Sequence, residues 1–187
     1  SCLIMGFGNM AAGQIIKGLL YLAIEVAVIA FLVTRGGGIY WLSMLPSLGK
    51  QGPTEAYDWI LDTYTVQYND NSFLIMLYGV LTLFFIVAFI YTWRVNVKQN
   101  KIAEQILASG KKLKSGKDDL RSMVDDKFHT TLLSLPLAGI LIFTVMPIVF
   151  MILVAFTNYD SLHNGYTNEL FTWVGMTNFG TMLSWGA

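Results

Sequence analysis

The sequence predicts an all-α integral membrane protein, a bundle of three transmembrane helices joined by one amphipathic interfacial helix. Three observations carry that reading. Two stretches, Phe73–Trp93 and Leu132–Phe156, run for 21 and 25 residues without a charge, and a third, Ile15–Val33, is nearly as apolar. Of 187 residues 55% are hydrophobic, and the mean hydropathy is +0.55, above the range of ordinary soluble domains. The net charge is zero, yet nine of the twelve Lys and Arg residues fall between Arg94 and Lys127.

The N-terminal stretch Ser1–Gln14 is small and Gly-rich, and reads as a re-entrant or interfacial segment. The first span covers about 15–33. Its ten Leu, Ile, Val and Phe residues between Leu19 and Val33 favour insertion by about 3 to 6 kcal/mol, while Glu25 near its middle costs roughly 2.5 to 3.5 kcal/mol if ionised. Insertion wins narrowly, with Lys17 and Arg35 snorkelling to the two interfaces. Glu25 is the one ionisable residue deep within a span, and two readings of it stay open. It is a carboxylate on a substrate or proton pathway, or a carboxyl hydrogen-bonded to a neighbouring helix or to Tyr21 one turn away.

Residues Thr34–Ser72 form a loop, broken at Gly36–Gly38, Pro46 and Gly52-Pro53. Tyr40 and Trp41 suit the headgroup level. Thr54–Thr63 reads as a short surface helix with Thr54 as its N-cap. Tyr57, Trp59 and Tyr64 invite a sugar-stacking reading, but an interfacial aromatic cluster is the plainer one. The second span, 73–93, holds 13 Leu, Ile, Val or Phe residues and favours insertion by about 4 to 8 kcal/mol. Arg94 and Lys98 follow at once.

Residues 94–131 form a basic loop, which the positive-inside rule places in the cytoplasm. The N-terminus is then cytoplasmic, and Thr34–Ser72 and the chain after Phe156 lie outside. Within the loop, Gly110–Gly116 is a flexible basic hinge. Beyond it Leu120, Met123, Val124, Lys127 and Phe128 share one helical face, opposite Asp118, Asp119, Arg121, Asp125 and Asp126. That pattern is an amphipathic helix on the inner leaflet. Carboxylates interleave with the cations here, against a nucleic-acid arm. The third span, 132–156, is roughly 37 Å long as a helix, more than the roughly 30 Å of a hydrocarbon core. Pro136 is expected in its opening turn, and Pro147 is expected to bend it by crowding the carbonyl of Phe143.

The chemistry of enzymes is missing from these residues. GxxxxGK[ST], HExxH, CxxC and GxSxG do not occur. His129 and His163 fall on opposite sides of the expected membrane, and Cys2 is single. No cofactor or metal is implied, and the chain reads as a non-enzyme.

The wording of the third span and its exit is more specific. Pro147-Ile148-Val149, then Ala155-Phe156-Thr157-Asn158-Tyr159, then Phe171-x-Trp173-Val174-Gly175-x-x-Asn178-Phe179 resembles the permease subunit of maltose and maltodextrin ABC importers, the MalF type. Phe128-His129, Leu132–Pro136 and the early MGFGNMAAGQIIKGLLYLAIE fit the same family. The resemblance implies an ATP-driven importer of maltodextrin-type oligosaccharides. It implies a second permease subunit, cytoplasmic ATPase subunits and an extracellular sugar-binding protein. Residues 1–93 and 94–131 would precede the transport core, which would start in 132–187. The EAA…G loop that docks on the ATPase and the later pathway-lining spans do not occur before Ala187, so the sugar-binding residues are expected beyond Ala187, and the sequence reads as part of a larger permease. The contrasting reading is a small three-span anchor whose basic loop binds a partner or anionic lipid.

Overall fold

The computed structural model describes residues 4–111, 113, 118, 121 and 128–184. They divide into two compact units. One comprises Ser1–Thr34 and Phe84–Leu141, the other Arg35–Leu83 and Ile142–Ala187.

In the first unit, α1 (Phe7–Ala11) leads through Gly13 into α2 (Ile15–Val33). Nineteen residues give α2 a length of about 28 Å, close to a hydrocarbon core. Only its Gly18 is buried. A helix this apolar and this exposed suits a lipid solvent, where its backbone groups are satisfied internally. The N-terminal segment packs on α2 through glycines. Gly6 has φ +82°, and a Cβ there would lie 2.0 Å from the Gly18 carbonyl oxygen.

α4 (Ser72–Ala108) spans 37 residues, roughly 55 Å. The expected loop from Arg94 therefore begins as helix. The uncharged run ends at Trp93, but residues 95–108 contain no Gly or Pro and are rich in helix formers, so nothing stops the backbone there. The stop is Gly110, with φ +73°. Gly110 N donates to Leu107 O at 3.0 Å and Lys111 N to Ile106 O at 3.2 Å, the paired bonds of a Schellman cap. The basic hinge and the amphipathic helix read over Leu120–Phe128 fall almost entirely outside the described residues.

In the second unit, α3 (Gly38–Met44) sets Trp41 against Tyr78 of α4, with ring centroids 4.9 Å apart. The surface helix read over Thr54–Thr63 is instead a hairpin. β1 (Thr54–Asp58) pairs antiparallel with β2 (Thr63–Gln67), Asp58 opposite Thr63 and Tyr57 opposite Tyr64. The β-branched and aromatic run Thr63-Tyr64-Thr65-Val66 favours a strand, and Asp58 caps the turn. The small sheet is an addition to an otherwise helical fold. Leu48, Ile75, Met76, Val80, Phe150 and Phe171 form this unit's buried core.

The third apolar helix is continuous but changes pitch. α5 (Phe128–Ile140) passes into a π-helical turn (Leu141–Val145) and then α6 (Met146–Val154). Because α5 starts at Phe128, Pro136 lies inside the helix rather than in its opening turn. The π turn spans Phe143, the residue whose carbonyl Pro147 would crowd in an α-helix. Widening the turn relieves that clash. The helix ends at Val154, short of Phe156.

Candidate functional site

Glu25 is half-buried on α2, and its Oε2 accepts a hydrogen bond from the Met5 backbone N–H at 2.8 Å. The next N–H, of Gly6, reaches Asn96 Oδ1 on α4 at 3.5 Å. Asn100 Nδ2 donates to the same oxygen at 3.2 Å. One helical turn before Glu25, Tyr21 donates its hydroxyl to Gln99 Oε1 at 3.2 Å. Two consecutive backbone donors of the N-terminal turn are therefore held by α2 and α4, each through a side chain.

Sequence reasoning missed the asparagines. Asn9, Asn96 and Asn100 are each at least 97% buried, and Ala103 continues the face of the last two one turn on. Asn9 Nδ2, Asn96 Nδ2 and Asn100 Oδ1 have no hydrogen-bond partner among the described residues. Buried amides are costly unless paired, so this cluster marks a polar core where an apolar one is usual. The available signal was the i, i+4, i+7 spacing of Asn96, Asn100 and Ala103, hidden among the lysines.

In the second unit the chain beyond α6 folds back on the helix end. Thr157 bridges to Trp173 across a single antiparallel ladder step. Asn158 N donates to Thr172 O at 3.1 Å, and Asn158 Oδ1 accepts from Thr172 N at 2.6 Å. The Phe156 carbonyl accepts from Val174 N and Gly175 N. Asn178, on α7 (Thr177–Ser184), donates through Nδ2 to Ala155 O at 2.9 Å and Thr157 O at 2.8 Å. Trp173 Nε1 donates to Leu45 O at 2.9 Å, and Phe171 is fully buried. The residues of the two sequence phrases thus satisfy the carbonyls of Ala155, Phe156 and Thr157, just past the end of α6. They form a collar, built from Thr157, Asn158, Trp173 and Asn178.

Within the collar, Asp160 Oδ1 accepts from the N–H groups of Leu162 and His163 and lies 2.9 Å from His163 Nδ1. These bonds, the His163 N–H foremost, hold the Asp160 carboxyl below its usual range. His163 Nε2 lies 3.3 Å from Glu169 Oε2. Among the described residues no three His, Cys, Asp or Glu side chains are placed to hold a metal.

This chain is similar to maltodextrin transport permeases along almost its whole length. It is 29% identical to the maltodextrin transport system permease protein MdxF of Bacillus subtilis over 178 residues, which cover 95% of this chain and 37% of that protein. It is 25% identical to the maltodextrin transport system permease protein MalC of Streptococcus pneumoniae, across 98% of this chain and 41% of that one. The chain therefore spans about two-fifths of the length of these relatives. No protein-family model and no solved structure matches it.

Proposed function

We propose that the chain forms part of the membrane-spanning permease subunit of an ATP-driven importer for maltodextrin-type oligosaccharides. The observation that carries this reading is the similarity to maltodextrin permeases over 95–98% of the chain. Three helices long and apolar enough to cross a bilayer support it. The expected partners are a second permease subunit, cytoplasmic ATPase subunits and an extracellular sugar-binding protein. The Lys and Arg residues that follow Trp93 support an orientation with the Ala108 end of α4 and the N-terminus in the cytoplasm and the chain after Phe156 outside.

Glu25 in this reading fastens the N-terminal segment, and the sugar passes elsewhere. An alternating-access importer needs rigid bodies around its pathway, and the Gly6–Gly18 contact and the collar are fastenings of that kind. Disruption of the gene, followed by uptake of labelled maltotriose, tests the function. Loss of uptake, restored by the intact gene, supports it. Unchanged uptake in the disrupted strain overturns it.

A further inference from the structure

We propose that the tip of the β1–β2 hairpin, Trp59-Ile60-Leu61, docks into the headgroup region of the lipid bilayer beside the start of α4. The inference rests on the reading of α2 and α4 as membrane spans. Trp59, Ile60 and Leu61 are 87%, 93% and 65% exposed, the largest apolar group on any described turn of this unit. The carboxylates that flank them each accept hydrogen bonds from within the hairpin. Asp58 Oδ1 accepts from Ile60 N at 2.8 Å and Leu61 N at 3.3 Å, and Asp62 accepts the Tyr57 hydroxyl. Both acids are used to fold the turn, and Trp59, Ile60 and Leu61 are its exposed apolar side chains. The Asp62 bond also raises the Tyr57 hydroxyl above its usual range.

The hairpin base lies close in sequence to the start of α4. Asp70 Oδ2 accepts from Lys50 N at 2.7 Å and Gln51 N at 3.0 Å, and Asn69 Nδ2 donates to Gly52 O at 2.9 Å. These bonds close the base of the hairpin, joining the chain that enters β1 to the chain that leaves β2 just before α4. A five-residue strand rises about 17 Å, which bounds how far the tip can lie from the hairpin base that precedes α4. Trp beside aliphatic residues is the composition that partitions into that layer. A flat sugar platform fits less well. The Tyr57 ring stands at 84° to Trp59 and 69° to Tyr64, so the three rings share no common face.

The test uses the protein with Cys2 replaced by Ser, reconstituted in phosphatidylcholine nanodiscs. A polarity-sensitive fluorophore is attached through Ile60→Cys, through Leu61→Cys as a second hairpin probe, or through Val87→Cys in the middle of the apolar part of α4. Val87 is 65% exposed and reports the span. The expected result is blue-shifted emission at the hairpin probes, quenched by lipid carrying a spin label near its headgroup, and quenching at Val87 by a label at mid-chain. Quenching of Val87 with hairpin probes open to aqueous iodide overturns the docking and leaves the span reading intact. Hairpin probes shielded from both quenchers overturn it in favour of a protein cover. No lipid quenching at Val87 removes the span reading and the docking with it.

Discussion

Glu25 illustrates how a charged residue in an apolar helix can be structural in origin. Its carboxylate meets a backbone donor that the N-terminal turn cannot satisfy by itself, since Met5 and Gly6 precede α1 and have no intrahelical acceptor. Replacing Glu25 by Ala leaves the Met5 N–H unpaired and is expected to cost about 1–3 kcal/mol, with faster proteolysis of residues 4–14. Glu25→Gln keeps a carbonyl acceptor and should retain most of that stability and wild-type maltodextrin uptake. Abolished uptake in a stably folded Glu25→Gln protein would instead make the carboxylate part of the pathway. Asp160 gives a prediction in pH. Its folded pKa is lowered, so its contribution is present above the unfolded carboxyl value of about 3.9 and is lost as pH falls through the folded value. Protection of the Leu162 and His163 amides against hydrogen exchange, corrected for intrinsic rate, should hold steady above that range and fall below it. Asp160→Asn should weaken protection at neutral pH and flatten this dependence.

Elements were legible where one physical signal decided them and illegible where two competed. The 19 residues of α2 coincide with an apolar run whose only charged residues are Lys17 and Glu25. For α4, charge at Arg94 marks where the helix leaves the bilayer, but backbone propensity decides where it ends, and only Gly110 supplies the left-handed residue the cap needs. The hairpin was misread because Thr54 and the following acids resemble a helix start, while the stronger signal, Asp58 and Asp62 bracketing a turn before Thr63–Val66, lay further along. The N-terminal segment depends on backbone approach, which composition hints at and cannot locate. Gly6 and Gly13 separate its two components. Both have positive φ, +82° and +85°, but a Cβ at Gly6 meets the Gly18 backbone whereas one at Gly13 meets nothing within 4 Å. Gly13→Ala should therefore cost only the left-handed conformation, about 1–2 kcal/mol. Gly6→Ala should cost clearly more and detach the segment from α2, seen as a larger drop in detergent melting temperature and as greater protease access to residues 4–14.

At the scale of the whole molecule, the residues that made the family resemblance legible are those that close the end of α6, and the asparagine core escaped notice. The resemblance could be read because Thr157, Asn158, Trp173 and Asn178 lie within 22 residues of one another, whereas the fold that joins them, with Trp173 bonded to Leu45 O far along the chain, was not legible. The asparagines serve a contact between segments some ninety residues apart, and their spacing along α4 says nothing about the Gly6 N–H they meet. Orientation in the membrane rests on a different kind of evidence, the clustering of cations after Trp93. Two exposed positions test it, Ser109 just past α4 and Ser161 in the collar. With Cys2 replaced by Ser, Ser161→Cys should react with a membrane-impermeant maleimide on intact cells, and Ser109→Cys only after permeabilisation. The argument is energetic: the positive-inside bias acts on short loops and on cations within roughly 15–20 residues of a span, a window that contains Arg94, Lys98 and Lys101. Labelling of Ser109→Cys from outside would reverse the orientation. The collar would then face the cytoplasm, and the hairpin tip would lie against the inner leaflet.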